Sequence, residues 1–185
     1  MTASTESAQL PAARKSEERR ALGVACGAHV LHDGYTDLIY VMLPIWQSEF
    51  GLGFAALGLM KTVFSGALAG FQIPAGFLAE RFGAALVLAL GTALAGLGYC
   101  LAGLSTGIAL LVAALFVGGL GASTQHPLAS SLIAQAFSGV RSRTALGTYN
   151  FSGDIGKMTL PAAASLLFVV LLFFAFGLAF EIPVA

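Results

Sequence analysis

Five long apolar stretches, separated by short polar breaks, dominate this chain and restrict what it can fold into. A helix that crosses a membrane needs about 20 mainly apolar residues. Inside a bilayer every backbone N–H and C=O group must be paired within the protein, so an apolar stretch of this kind crosses as a helix. We therefore predict an all-α, polytopic membrane protein with spans at about residues 21–46, 55–79, 84–104, 107–136 and 144–166.

The composition supports the same class of protein. The chain is 57% hydrophobic and 10% charged, whereas soluble domains are about 25% charged. Its formal net charge is +0, so no general attraction to nucleic acid is expected. Residues 1–20 are polar and rich in charged side chains, which predicts a disordered leader ahead of a transmembrane helical bundle over residues 21–180.

Lysine and arginine are distributed unevenly between the two sides of the predicted bundle. The first and third connections between spans contain neither residue. The leader and the second and fourth connections contain Arg14, Lys15, Arg19, Arg20, Arg81, Arg141 and Arg143. Because these residues concentrate in cytoplasmic segments, the pattern predicts a cytoplasmic N-terminus.

The last apolar stretch is too long for a single crossing. Residues 144–180 contain no polar loop after Pro161. A helix of that length would measure about 55 Å, against a hydrocarbon core of about 30 Å. We expect either a short sixth span that is broken, with a bend near Gly177, or a truncated chain.

The first predicted span carries a stripe of ionisable residues. His29, Asp33 and Asp37 are spaced i, i+4 and i+8, which places them on one helical face. A charge near the bilayer centre costs about 2.5–3.5 kcal/mol on insertion scales, so such residues usually face a protein interior or a wet cavity. We interpret the stripe as the lining of a transport path. The alternative for Asp37 is a structural ion pair with Lys61, and His29 and His32 are expected to face different directions, so that at most one lines the path.

Two further groups of polar residues fall within predicted spans. Asn150, Asp154 and Lys157 in the fifth span form either a site for a charged solute or a self-neutralising pair, since i, i+3 charges meet on a helix. His126 precedes Pro127, which permits a kink one turn earlier. His126 is then either a proton relay or a hydrogen-bonded residue at the kink. No ligand spacing supports a metal site, and a cofactor is not expected.

Small residues also recur at helical spacing along the third span, at Gly91, Ala95, Gly98 and Ala102. Small side chains let neighbouring helices approach closely. We therefore expect this stripe to be a packing surface.

Three motifs resemble the N-terminal half of a major facilitator superfamily transporter, and most closely the fosmidomycin-resistance type of drug exporter. The segment 29–35 with the Leu-Pro at 43–44 resembles that branch's first helix, and 119–127 resembles its Gly-x-Gly and His-Pro segment. The segment 76–83 resembles the superfamily's signature loop between helices 2 and 3. The resemblance implies that this loop helps to hold one conformational state through Gly76, Glu80, Arg81 and Gly83.

The resemblance implies a secondary active transporter, or a truncated half of one, that exports small organic solutes with proton coupling. It implies five to six helices of the N-terminal six-helix half, in a bacterial inner membrane. The implied partners are the lipid bilayer, a solute, protons, and either a missing C-terminal half or a second copy of the chain. Leu115 stands where many proton antiporters carry Arg, so antiport and symport both stay open.

Two other classes of function compete with transport. A non-transporting membrane scaffold, or a degenerate half-transporter, fits the irregular C-terminal stretch. An enzyme is not expected: an intramembrane hydrolase using Ser152 and His126 is disfavoured, because no Gly-x-Ser-x-Gly motif surrounds Ser152.

Overall fold

The computed structural model of the chain describes residues 12–181, and every regular element in that range is an α-helix. The elements in chain order are α1 (Ala12–Asp37), α2 (Ile39–Phe50), α3 (Phe54–Gly70), α4 (Gln72–Phe82), α5 (Ala84–Gly103), α6 (Ile108–Ala122), α7 (Gln125–Ala136) and α8 (Val140–Glu181).

Within the described range, four helical segments are long and apolar enough to cross a membrane. These are Phe54–Phe82, Ala84–Gly103, Ile108–Ala136 and Val140–Leu172. The first three lie within a few residues of the predicted spans 55–79, 84–104 and 107–136. The segment formed by α1 and α2 is not among the four, because its ionisable residues lower its mean hydropathy.

Prolines account for two of the helix interruptions. A proline has no N–H to bond the carbonyl four residues earlier, and its ring clashes with that carbonyl. Pro74 therefore disturbs the helix at Gly70, where α3 ends, and Pro127 disturbs it at Ser123, between α6 and α7. At the second break the Ser123 hydroxyl donates to the Leu120 carbonyl at 2.7 Å. That bond gives the Leu120 carbonyl a donor at the point where the helix is interrupted.

The prediction of a disordered leader is wrong for residues 12–20, which form the first turns of α1. This segment is rich in Ala, Arg, Lys and Glu, all good helix formers. It is also tied to the start of α8, because Glu18 accepts a bond from Arg141 at 2.7 Å and pairs with Arg14 at 3.7 Å. Residues 1–11 of the predicted leader lie outside the described residues.

The prediction of a short, broken sixth span is also wrong for the described part of the chain. α8 runs without interruption for 42 residues and shows no break near Gly177. The physical reason is local, since residues 162–180 are mostly Leu, Ala, Phe and Val and contain no Pro or polar turn. A helix of that length measures about 63 Å, roughly twice the hydrocarbon core.

Helices α5 and α6 pack with their backbones in close approach, as the stripe of small residues predicted. A Cβ atom added to Gly98 would lie 2.5 Å from the Cα of Gly118. Ala95, also on the stripe, is completely buried. The packed faces of α2, α3, α5 and α6 form the larger apolar core, around Ile39, Phe64 and Leu111.

Helix α1 lies along α8, and this pair carries the ionisable residues of the bundle. Gly156 of α8 lies against Val30 of α1, where an added Cβ would be 2.8 Å from the Val30 carbonyl carbon. A smaller core, around Ile133, Ala145 and Tyr149, joins α7 to α8. Side chains from α1, α7 and α8 can therefore meet.

Candidate functional site

A buried aspartate is the centre of the candidate site. Asp33 of α1 is 2% exposed, yet three basic side chains reach it from three helices. Lys157 of α8 places its Nζ 3.1 Å from Asp33 Oδ2, and His29 of α1 places its Nε2 3.2 Å from the same oxygen. His126 of α7 places its Nε2 3.7 Å from Asp33 Oδ1. A charge in a membrane helix is stabilised by pairing of this kind.

His29 is held in one orientation by Tyr149 of α8. Its Nδ1 lies 2.8 Å from the Tyr149 carbonyl oxygen, and its ring stacks on the Tyr149 ring with centroids 3.9 Å apart and planes 8° from parallel. Tyr149 is fully buried, and Gln125 donates to its hydroxyl at 3.4 Å. The imidazole of His29 therefore presents Nε2 to Asp33 from a fixed position.

His29 and His32 both approach His126, and the prediction that they face different directions is wrong. Their ring centroids lie 5.3 Å and 6.1 Å from that of His126. Residues three apart on a helix are neighbours on its surface, so both rings reach the same region. His32 is 1% exposed, and its Nδ1 lies 2.7 Å from the hydroxyl of Tyr35.

Lys157 lies between two carboxylates. Besides Asp33, it contacts Asp154 Oδ1 at 3.4 Å, with the side chain of Lys157 42% exposed and that of Asp154 65% exposed. The predicted Asp154–Lys157 ion pair therefore forms. It does not neutralise only itself, because Lys157 also pairs with the buried Asp33. Asn150, one turn earlier on α8, is exposed.

Asp37 stands apart from this cluster. It is half-buried, and no basic side chain in the described range lies within 4.0 Å of its carboxylate. The alternative of an ion pair with Lys61 is not formed, since Lys61 instead lies over the Tyr40 ring, 4.6 Å from its centroid.

The cluster also brings together three groups that can bind a metal. One ligand atom each from His29, Asp33 and His126 lie within 4.8 Å of one another. The prediction of no metal site considered only spacing along the sequence, and His126 reaches the other two from a distant helix. Ser152, by contrast, donates to the Tyr149 carbonyl at 2.6 Å, so its hydroxyl is engaged in the helix.

A family model, the Major Facilitator Superfamily, matches residues 25–182 of the chain. The chain belongs to the Major Facilitator Superfamily. It is accordingly an integral membrane protein, and its helices form part of one half of the superfamily's fold. No solved structure was found to match it.

Several characterised members of the superfamily are similar in sequence. The fosmidomycin resistance protein of Escherichia coli is 32% identical over 79% of this chain, which covers 36% of that protein. The cephamycin export protein CmcT of Amycolatopsis lactamdurans is 33% identical over 67% of this chain and 26% of its own length. The multidrug resistance protein Stp of Mycobacterium tuberculosis is 30% identical over 70% of this chain and 24% of its own length. The chain thus spans about a quarter to a third of the relatives it matches.

The segment 76–83, which resembles the superfamily's signature loop, is mostly helical in this chain. Gly76, Glu80 and Arg81 lie in α4, and Gly83 alone separates α4 from α5. Gly83 has φ +90, a conformation that side chains rarely adopt. Glu80 and Arg81 are exposed and make no ion pair within the described range. Their role in holding a conformational state stays a prediction.

Three residues of the site were missed by sequence reasoning. Tyr149 and Gln125 orient His29, and Gly153 lets α8 approach the site, since an added Cβ would lie 2.6 Å from Asp33 Oδ2. A signal for Gly153 was present, because a glycine between Asn150 and Asp154 marks a place where another helix can approach closely.

Proposed function

We propose that this chain forms the N-terminal half of a secondary active transporter that exports small organic solutes in exchange for, or together with, protons. The observation that carries the proposal is Asp33: a carboxylate buried inside the helical bundle of a membrane protein and paired with basic groups from three helices. Buried intramembrane acids of this kind mark ion and proton pathways. The proposal includes no enzymatic step, no cofactor and no nucleic acid partner.

The names of the relatives support an exporter. They are named for fosmidomycin resistance, cephamycin export and multidrug resistance. We extend only their shared class, export of small organic solutes, to this chain. The distribution of Lys and Arg supports a cytoplasmic N-terminus. We place the protein in a bacterial inner membrane because these relatives come from bacteria.

Proton coupling would operate through Lys157, because the protonation of Asp33 decides whether Lys157 pairs with Asp33 or with Asp154. An ionised Asp33 is neutralised by Lys157 at 3.1 Å. A proton on Asp33 removes that attraction and frees Lys157 for Asp154, 3.4 Å away. Protonation at a buried position would thereby change the charge arrangement on the exposed face of α8, where a solute and Asn150 could meet.

A second half is needed to enclose the path. Superfamily halves are related by an axis along the membrane normal, with the substrate site between them. His126, Asp154 and Lys157 are all partly or largely exposed in this half, which fits a face that a second half covers. We propose that it is supplied either by a longer chain or by a second copy of this one.

The mass of the native product distinguishes these two sources. An N-terminal epitope on the chromosomal reading frame would report it under denaturing conditions. A product much larger than 18.9 kDa means that a longer chain supplies the second half. A product of that mass that cross-links as a dimer in the membrane means that a second copy does, and a monomer that transports nothing would refute transport in favour of a scaffold.

The decisive variant for transport is Asp33→Asn, which keeps the size of the side chain and removes its charge. We expect loss of pH-gradient-driven efflux from vesicles, measured with those small organic solutes that the native chain exports. Glu49→Gln is the matched control, because Glu49 is an exposed carboxylate of α2 away from the cluster. Equal amounts of both variants in the membrane would exclude an insertion defect. Undiminished efflux in Asp33→Asn would remove Asp33 from the mechanism.

A further inference from the structure

The contact between His29 and Asp33 joins two atoms that both carry lone pairs. The Tyr149 carbonyl can only accept a hydrogen bond, so His29 Nδ1, at 2.8 Å, is the protonated nitrogen. A neutral imidazole has one N–H, so in the neutral form of His29 the Nε2 atom is a bare acceptor. It lies 3.2 Å from Asp33 Oδ2, another acceptor, and has no hydrogen-bond partner in the described part of the chain. This arrangement is stable only when something positive lies between the two atoms.

The spacing of the donors fits a metal ion. Zn²⁺ binds histidine nitrogen at about 2.0–2.1 Å and carboxylate oxygen at about 2.0–2.2 Å, so neighbouring ligand atoms of a tetrahedral ion lie about 3.3–3.5 Å apart. His29 Nε2 lies 3.2 Å from Asp33 Oδ2 and His126 Nε2 lies 3.7 Å from Asp33 Oδ1. Both distances are close to that value, and each histidine faces a different oxygen of the carboxylate. One ligand atom from each of the three residues lies within 4.8 Å of the others, so binding requires the side chains to close by up to about 1.5 Å to reach tetrahedral spacing.

We propose that His29, Asp33 and His126 form a binding site for one divalent transition-metal ion, with Zn²⁺ as the representative. Two imidazoles and a carboxylate are a typical ligand set for such an ion. His29 already has the supporting contact that metal-bound histidines show, an Nδ1–H donated to a backbone carbonyl. The side chain of His126 is 44% exposed, which leaves an entry path and a position for a water as fourth ligand.

Lys157 competes with the ion. Its ammonium lies 3.1 Å from Asp33 Oδ2, one of the atoms that the metal needs. Because two cations repel at this range, ion and ammonium cannot share Asp33. The ion would displace Lys157 toward Asp154, which Lys157 already contacts at 3.4 Å. This competition gives the proposal a distinctive signature: removing Lys157 strengthens binding.

The test measures metal binding alone and needs no transport. The full chain is purified in detergent, stripped of metal, and titrated with Zn²⁺ by calorimetry and with Co²⁺ by visible absorption. We expect one ion per chain and a Co²⁺ spectrum with histidine ligation. His29→Gln and His126→Gln should each weaken binding by about 10–100-fold or more, the loss that even a supporting residue causes. Lys157→Met should tighten it by about tenfold or more.

His32→Gln is the matched control, since His32 is as buried as His29 and lies on the same helix but outside the ligand set. It should bind as the native chain does. If His29→Gln fails to fold, His126→Gln takes its place, because His126 is only partly buried and its replacement disturbs the packing less. Absence of binding at millimolar Zn²⁺ in both the native chain and Lys157→Met would overturn the proposal, as would equal weakening by His32→Gln.

A proton on His29 Nε2 could take the place of the metal ion between His29 and Asp33. Nitrogen NMR of the histidines distinguishes the proton from the metal ion. Protonated Nε2 on His29 at neutral pH, unchanged by Zn²⁺, would identify a proton there and refute the metal site. Because none of these readouts depends on export, failure of the metal site leaves the transport proposal standing.

Discussion

Gly153 controls how closely α8 approaches the Asp33 cluster, and Gly153→Ala tests that role. A Cβ at this position would lie 2.6 Å from Asp33 Oδ2, 2.6 Å from His29 Cε1 and 2.9 Å from His29 Nδ1. Non-bonded carbon contacts are normally about 3.5–4.0 Å. The added methyl group therefore overlaps both side chains by about 1 Å, so both must move.

The atoms that must move are the ends of side chains, so we expect the bundle to survive. Asp33 rotates away from the methyl group. His29 stacks on Tyr149 and bonds to its carbonyl, and it must give up part of these contacts to move away as well. Overpacking of this kind costs about 1–3 kcal/mol of stability. The 3.1 Å contact between Asp33 and Lys157 is lost. Because a misplacement of about 1 Å can cost 10²-fold in a functional site, export should fall by about 10–100-fold.

The assay compares pH-gradient-driven efflux with thermal unfolding in detergent. Gly147→Ala is the matched control, since Gly147 is on the same helix and an added Cβ there meets nothing within 4 Å. It should leave efflux unchanged and gain about 0.5–1 kcal/mol from helix propensity. Native efflux in Gly153→Ala would refute the steric argument. Complete unfolding would also refute it, because it would mean that the side chains cannot give way.

Two further predictions concern stability, both measured by thermal or chemical unfolding in detergent. Gly121→Ala places a Cβ 2.5 Å from a backbone carbonyl oxygen of α5 and should lower the free energy of unfolding by about 1–3 kcal/mol or more. The Cβ of Gly118→Ala meets only ordinary contacts, from 3.5 Å, so this variant should be neutral or slightly stabilising. Equal effects of the two would contradict the close approach of α5 and α6. Arg141→Gln removes the 2.7 Å partner of Glu18 and should cost about 1–2 kcal/mol, between exposed and buried ion pairs. Arg143→Gln, which breaks no ion pair in residues 12–181, should cost nothing measurable.

Hydropathy and proline rules predicted much of the helical layout. The apolar spans correspond to helices because a bilayer leaves no alternative for the backbone. The break before Pro127 followed from the missing N–H, and the same rule agrees with the break at Gly70 before Pro74. Proline does not decide the breaks alone, since Pro44 and Pro161 lie inside α2 and α8. The prediction for the C-terminal stretch was wrong because an apolar run without turn residues indicates only that the segment is helical. Where such a helix is divided into membrane spans depends on how it packs against other helices.

The candidate site was predictable only within each helix. The pairs His29–Asp33 and Asp154–Lys157 follow from i, i+4 and i, i+3 spacing. The contacts of Asp33 with Lys157 and His126 depend on how α1, α7 and α8 pack, and no spacing along the chain encodes that. Tyr149 was missed for a related reason: its carbonyl and ring face, rather than its hydroxyl, orient His29.

Lys157 connects the buried part of the site, at Asp33, with the exposed part, at Asp154. Asp33 is 3% exposed in its side chain, Lys157 42% and Asp154 65%, so the lysine spans from the interior to the face of α8. Any cation that neutralises Asp33, whether a proton or a metal ion, releases the lysine toward Asp154. His126, the contact from α7, comes directly before Pro127 and just after the helix break. A backbone interrupted at this point can shift without breaking a continuous ladder of hydrogen bonds, so a change of charge at Asp33 would act next to a helix break.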